Sequence, residues 1–360
     1  MSEIVLPADI TDAFDHLMMV GLAAILEDEP EADRTCSLRW KDMRSAVLST
    51  SDGLDVETVA GAVGRHARRW AQSAWLNFAG DYTTKDDAQR KATQHATLSP
   101  RLSGIYEPDG WRRLQRDRWA AIDSLQTVGD RRYVGALGEP SYWSGRSGKE
   151  LRADYGASRW EMVTRNKGQE FVGGRLLPLS RQVARRSVQQ VMEGLTGQTV
   201  ADEAGNGSPQ SRTGTGLHRP MKTDNARAWC ALFGVSAFPH LVNTAMCFRD
   251  TTAGLTQMTR LRRFAILPVF DMDWTLAKYR SVIRSASLLQ FGTALISAGA
   301  LKGSISHNDS FPQHGVQWLK EKGVISCAVF RQYVSDNPSA PERWLERGLL
   351  YPVDAETVQR

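Results

Sequence analysis

The chain has 360 residues, enough for one large domain or two modest ones, and its 41% hydrophobic and 24% charged content is that of a globular protein. No run is long and apolar enough for a spanning helix, and the opening MSEIVLPADITDAFDH carries acid where an export signal needs base. The expected location is therefore the cytoplasm, with no membrane partner. The net charge of +5 hides a gradient: residues 1–64 carry −9, 65–190 carry +10 and 191–360 carry +4, so the middle attracts a polyanion that the start repels.

Residues 3–7 read as a short strand. Thr11 or Asp12 then caps a helix to about Glu27, with Phe14, Leu17, Met18, Leu22, Ile25 and Leu26 at helical spacing. Ser37–Trp40 and Ala46–Ser49 are predicted strands around a turn, and Asp55 caps a helix whose stripe is Val56, Val59, Ala60, Val63, Ala67, Trp70 and Ala74. Residues 80–104 are polar and irregular. From Trp111 to Leu125 a helix carries Trp111, Leu114, Arg118, Ile122 and Leu125 along one side, leaving Arg112, Arg113 and Arg116 off it. Arg132–Leu137 and Glu170–Leu176 are strand candidates, and Pro178 suits the start of a helix through Leu195.

The clearest break is Gly194–Met221, a long Gly/Ser-rich stretch. Thr223 next caps a helix, Arg262–Phe270 is a strand, 274–301 is a long helical stretch, and a helix His314–Lys322 leads into strand Val324–Phe330. Strands and helices mix without regular β-α-β alternation, which predicts an α+β fold of mixed small sheets with packed helices, helix-richer in the C-terminal half. The implied division is an α+β domain over 1–200, a flexible basic Gly/Ser loop over 201–222 and a helix-rich domain over 223–360.

Cys36, Cys230, Cys247 and Cys327 form no C-x-x-C pair, which argues against a disulfide framework or a zinc module and for buried small hydrophobes. Trp70, Trp111, Trp119 and Trp229 occupy helix-face positions and read as core. Tyr142 and Trp143, beside Arg146 in a Gly/Ser loop, read either as loop packing or as a base-stacking pair. His307, Asp309 and His314 match no ligand spacing, and Asp271 and Asp273 read as helix-capping residues. G-x-S-x-G, H-E-x-x-H and G-x-G-x-x-G are absent, so no catalytic residues, metal or cofactor are expected.

The basic features point to nucleic acid. Arg112, Arg113 and Arg116 form one helical cluster, and Arg181, Arg185 and Arg186 form another. In QSRTGTGLHRPMK, Gly214 and Gly216 free the backbone for close approach. Arg212, Arg219 and Lys222 supply charge, and Asn225 opens the following helix, whose N–H groups point the same way. The alternative is a plain surface connection. On the first reading, 210–222 is mobile in the free protein and orders on nucleic acid.

Several segments resemble the large signature subunit of type I CRISPR interference complexes of the I-U (or I-G) kind. They are FDHLMMVGLAAILED near the start, GGRLLPL (173–179), SRTGTGL (211–217), TDNARAWCALFGVSAFP (223–239) and GVQWLKEKGVISCAVFRQY toward the end. The resemblance implies a non-catalytic, antiviral ribonucleoprotein subunit (of the Cascade assembly). Its implied partners are guide RNA, target double-stranded DNA, other Cascade subunits and a recruited nuclease-helicase. The guide reads the target by pairing, while the protein recognises the flanking motif in the duplex and supports R-loop formation. The competing expectations are a backbone or RNA-processing subunit of the same complex, a metal-dependent nuclease using His307, Asp309 and His314, and an assembly protein with protein partners only.

Overall fold

Asp12 and Asp55 start the two helices around which the chain is built. In the computed structural model, Asp12 accepts from the Phe14 N–H and caps α1 (Ala13–Glu27), and Asp55 accepts from the Thr58 N–H and caps α2 (Val56–Ala71). The structure describes residues 3–30, 32–83, 91–95, 98–101, 108–140, 156–162, 171–205, 212–242, 250, 252–259, 262–297, 313–337 and 341–353. Helix α1 is apolar nearly all round and is buried from Ala13 to Leu26, as a helix without a polar face must be.

Beside it lies a four-stranded antiparallel sheet. Strand β1 (Glu3–Pro7) pairs with β3 (Ser45–Thr50), which pairs with β2 (Cys36–Asp42). The two-residue β8 (Trp274–Thr275) extends β2 from far along the chain. A short helix α3 (Ala74–Asn77) and the hairpin β4 (Ala79–Thr83) with β5 (Lys91–His95) follow α2, and then α4 (Pro108–Asp123) and α5 (Val128–Leu137). Helices α6 (Leu177–Arg185) and α7 (Val188–Leu195) pack on α2, and α8 (Asn225–Phe233) packs on α1.

The second sheet runs β10-β9-β7-β6, with β6 (Leu255–Thr259), β7 (Arg262–Val269), β9 (Ser326–Val334) and β10 (Arg343–Leu345). Strand β11 (Leu349–Pro352) also pairs with β9. Pro268 is tolerated in β7 because β6 pairs only as far as Ala265, so no ladder hydrogen bond is lost on that side. Helices α9 (Leu276–Ile283), α10 (Ala286–Ser297) and α11 (Gln313–Glu321) complete the order.

One hydrophobic cluster runs from Ile4 to Val353, so the core is continuous across the segment 201–222. Its tightest joint is a pair of glycines. A Cβ on Gly21 of α1 would stand 1.8 Å from the Cys230 carbonyl oxygen, and one on Gly234 would stand 2.2 Å from that of Leu17. Here two backbones touch, and any side chain would force them apart.

The α+β class is as expected, but several elements differ. Arg132–Leu137 is helical within α5, capped by Thr127, and Val172–Leu176 forms a π-helical turn that runs into α6. The β-branched and aromatic residues that suggest strands there fill the core of helical segments: Tyr133, Val134, Val172 and Leu176 are buried. The helix expected from Pro178 through Leu195 breaks at Arg186, where Ser187 caps α7 with a reciprocal Gln190 bond. The stretch 274–301 likewise breaks between α9 and α10. Asp224, not Thr223, caps α8, and Thr275, not Asp271 or Asp273, caps α9. Among the described residues α1 to α7 precede residue 200 and α8 to α11 follow 222, with β1 to β5 before and β6 to β11 after, so helices and strands are spread over both halves. Short β6, β10 and β11 are too brief to show a period-2 pattern.

Candidate nucleic-acid interface

Helix α4 presents two faces set by its sequence. Trp111 and Leu114 are buried, and so is Arg118, which donates from Nη2 to the Gly138 carbonyl at 2.7 Å and from Nε to Glu139 at 2.7 Å. The opposite side carries Arg112, Arg113, Arg116 and Trp119, all exposed, with Trp119 58% exposed. The indole expected in the core is thus on the surface. Positions 112, 116 and 119 follow one another at i+4 and i+3, so two guanidinium groups and an indole share one stripe. Arg112 meets Asp109 at 2.6 Å, but its side chain is 75% exposed and the pair is screened by water.

The second expected cluster divides. Arg181 and Arg185 are exposed on α6, with Arg181 Nη2 2.8 Å from the Asn77 side-chain oxygen. Arg186 is buried and serves the fold. Its Nη1 lies 3.0 Å from Asp224 Oδ1, and its Nη2 lies 2.5 Å from Glu203 and 2.6 Å from the Ala201 carbonyl. These acids raise the Arg186 pKa against the burial that would lower it. Arg186 therefore leaves the set of residues expected to touch nucleic acid.

The corner expected to cradle a phosphate at the start of α8 is already filled. Asp224 accepts from the Ala226 and Arg227 N–H groups and is itself buried, so its carboxylate occupies the place a phosphate would take. Asn225 is fully buried. It donates to Thr213 Oγ1 at 3.0 Å and accepts from the Ala204 N–H at 2.8 Å, so it too leaves the interface. Asp202 gathers the described part of the 201–222 segment by accepting from the Thr213 and Thr223 N–H groups. Gly216 adopts φ +77° and its carbonyl accepts from the Leu345 N–H at 2.9 Å; a Cβ there would stand 2.7 Å from the Met162 Cβ, so the close approach this glycine permits is to Met162. Far from a free connection, residues 212–222 close onto the protein. Arg219 and Lys222 remain exposed and Arg212 is partly so.

Lys222 borders a pocket of about 390 Å³ shared with Asp9, Asp12, Phe14, His218 and Arg227. Its charges answer one another: Asp9 pairs with Arg44 at 2.6 Å and Arg347 at 2.5 Å, and Asp15 pairs with Arg227 at 2.7 Å. His218 stacks on Phe14 with ring centres 4.5 Å apart.

A different set of arginines converges over the second sheet. Arg101 Nε lies 3.0 Å from Glu161 Oε2, and Arg159 Nη1 lies 2.6 Å from Asp250 Oδ2. Arg263 donates from Nε to Gln257 at 3.0 Å and is pushed down to about 9 by burial and by the neighbouring charges of Arg159 and Arg343. Arg343 is also lowered, by burial and then by Arg101. A smaller group lies on α5 and α9, where Arg280 is pushed down to about 10 by burial and then by Arg132. The sequence shows neither group, because their members lie 58 to 242 positions apart and only the fold assembles them.

The cysteines Cys36, Cys230 and Cys327 are free and buried. Among the described residues no three His, Cys, Asp or Glu side chains are placed to hold a metal. Arg146, Tyr142, Trp143, Cys247, His307 and Asp309 lie outside the described residues, and His314 is exposed on α11. No helix of the described residues is long and apolar enough to cross a membrane. The chain matches no protein-family model and no curated protein.

Proposed function

We propose that the chain is a nucleic-acid-binding subunit of a CRISPR RNA-guided surveillance complex, similar to the large signature subunit of the I-U kind. It acts by binding: guide RNA and target duplex are its nucleic acids, other subunits and a recruited nuclease-helicase are its protein partners, and the cytoplasm is where it works. The observation that carries the binding is the exposed stripe of Arg112, Arg116 and Trp119 on α4, in the segment of net charge +10. Arginines along a helix face neutralise phosphates, while an exposed indole stacks on or wedges between bases. Arg181 and Arg185 on α6 and Arg219 and Lys222 in the 212–222 segment add exposed charge to the same role.

The resemblance carries the particular system. FDHLMMVGLAAILE lies in α1 and NARAWCALF forms α8, and α1 meets α8 and the turn that follows it through Gly21 and Gly234 in the core. The experiment is affinity purification of the tagged protein from cells, with sequencing of the RNA that accompanies it. Short RNAs sharing a repeat-derived end are expected; RNA without such a common end, or none, would overturn the assignment to a guided complex.

A further inference from the structure

The pairing of charges is even inside the pocket beside α1 and uneven at its mouth. The cavity, about 390 Å³, draws its lining from residues 7–15, 44, 197–200, 218–227 and 347. It is therefore built by the fold and not by one helix face, and its volume is that of a small-molecule site. Inside, Asp15 is matched by Arg227 and Asp224 by Arg186. At the mouth, Arg44 and Arg347 both meet Asp9 Oδ2, and their side chains are 79% and 63% exposed. Lys222 is exposed and has no ion pair among the described residues. Three cations thus stand against one carboxylate where solvent enters.

The deeper wall offers the opposite chemistry. The Asp12 side chain is 13% exposed, and its Oδ1 accepts from the Phe14 N–H. Its Oδ2 stands 3.5 Å from His218 Nδ1 and makes no hydrogen bond among the described residues. The Thr223 hydroxyl donates to the Met221 carbonyl at 2.9 Å, so it accepts from His218 Nε2–H at 3.1 Å. That bond and the stack on Phe14 hold the His218 ring in place. Val200 and Met221, both exposed, add apolar surface to the same lining. The cavity therefore suits a ligand with a strongly anionic end, a flat apolar body and a hydrogen-bond donor.

We propose that this pocket binds a nucleoside monophosphate, either free or as the phosphate-bearing end of a strand. The phosphate meets Arg44, Arg347 and Lys222, and the base lies against Val200 and Met221 with an amino group toward Asp12 Oδ2. A phosphate monoester carries about −1.5 to −2 charges at pH 7 and three acceptor oxygens, which matches a surplus that a single carboxylate would leave unanswered. Asp224 keeps the start of α8 closed to that phosphate, so the mouth is where it binds. The pocket stands apart from the α4 stripe and shares only Lys222 with the interface proposed above.

The test is isothermal titration calorimetry of the full chain with AMP, IMP, adenosine, inorganic phosphate and glutamate. AMP should bind, and adenosine and phosphate should each bind at least roughly tenfold more weakly, since each lacks one end. Arg44→Gln and Lys222→Gln should each weaken AMP roughly tenfold, the effect of one lost charge-assisted contact. Lys41→Gln, exposed near Arg44 but outside the lining, should leave it unchanged. Lys222→Gln breaks no ion pair among the described residues, so it decides the outcome even where Arg44→Gln disturbs Asp9. AMP should outbind IMP, which has no amino group, and equal binding would overturn the Asp12 contact. A short strand with a 5′-phosphate that displaces AMP would assign the strand end, and failure to displace it would assign the free nucleotide. Displacement by a 5′-hydroxyl strand as well would overturn the terminal phosphate. No binding of AMP, glutamate binding as tightly, or equal loss with Lys41→Gln would overturn the pocket. A chain that binds AMP but no longer strand would keep this pocket and lose the role given to α4.

Discussion

Two arginine clusters in this molecule are built from the same groups and have opposite electrostatics. At the junction of α6 and α7, Arg186 meets Asp224 and Glu203, and its pKa is raised. Over the second sheet, Arg101 pairs with Glu161 and Arg159 with Asp250, while burial and neighbouring arginines lower Arg263 and Arg343. Where carboxylates match or outnumber a guanidinium, the fold is using charge to join its own elements. Where guanidinium groups crowd one another under burial, their charged form is disfavoured. Burial lowers the arginines in both places, so the carboxylates beside Arg186 set the difference in direction.

That contrast is sharpest under mutation. Asp224→Ala removes the cap of α8 and leaves Arg186 buried with only Glu203, and should cost about 3–5 kcal/mol in denaturant unfolding. Arg343→Gln removes one member of the other cluster and should cost nothing. A similar loss from both would erase the distinction.

A smaller effect separates the buried core from both clusters and is read by pH. His16 is buried against the Ile10 carbonyl at 2.8 Å and is pushed down to about 4 by burial; His66, whose Nδ1 accepts from Trp229 Nε1 at 3.1 Å, is also lowered by burial. Both resist protonation when folded, so they remove stability as pH falls below about 6.5 toward 4. Asp130 has the opposite sign. Burial raises it to about 6, so the folded state holds its proton more tightly and gains stability as pH falls through 6 toward 3.8. Denaturation at fixed pH should show stability declining from pH 6.5 to 4, and Asp130→Asn should steepen the decline. A shallower decline in that variant would contradict these burial assignments.

The sequence made α1, α2, α4, β2, β3, β7 and β9 legible, because each has a capping side chain at its start, an apolar period or a short unbroken apolar run. It also made the exposed stripe of Arg112 and Arg116 legible, because off-stripe positions of an amphipathic helix face solvent whatever the fold. Three residues could not be placed that way. Arg186 and Asn225 are polar and near a loop, as surface residues are, yet each satisfies buried partners brought from elsewhere: Asp224 and Glu203 for Arg186, Thr213 and Ala204 for Asn225. Trp119 follows Arg118 in sequence, and which of the two is buried depends on Gly138 and Glu139, which receive the guanidinium. The arginines at 101, 159, 263 and 343 have no local pattern at all.

The smallest structural effect belongs to the face that carries the functional proposal. Arg112→Ala, Arg116→Ala and Trp119→Ala together remove exposed side chains and should change stability by no more than about 0.5 kcal/mol each. Their effect should fall on binding. The direct measurement is the affinity of the chain, and of this triple variant, for a fluorescent duplex and a single strand across a salt titration. The account predicts weaker binding of both by the variant, a salt slope reduced by roughly 1–2 because about two phosphate contacts are lost, and an unchanged melting temperature. An unaltered slope and affinity in a folded variant would contradict it, leaving α4 as ordinary solvated surface.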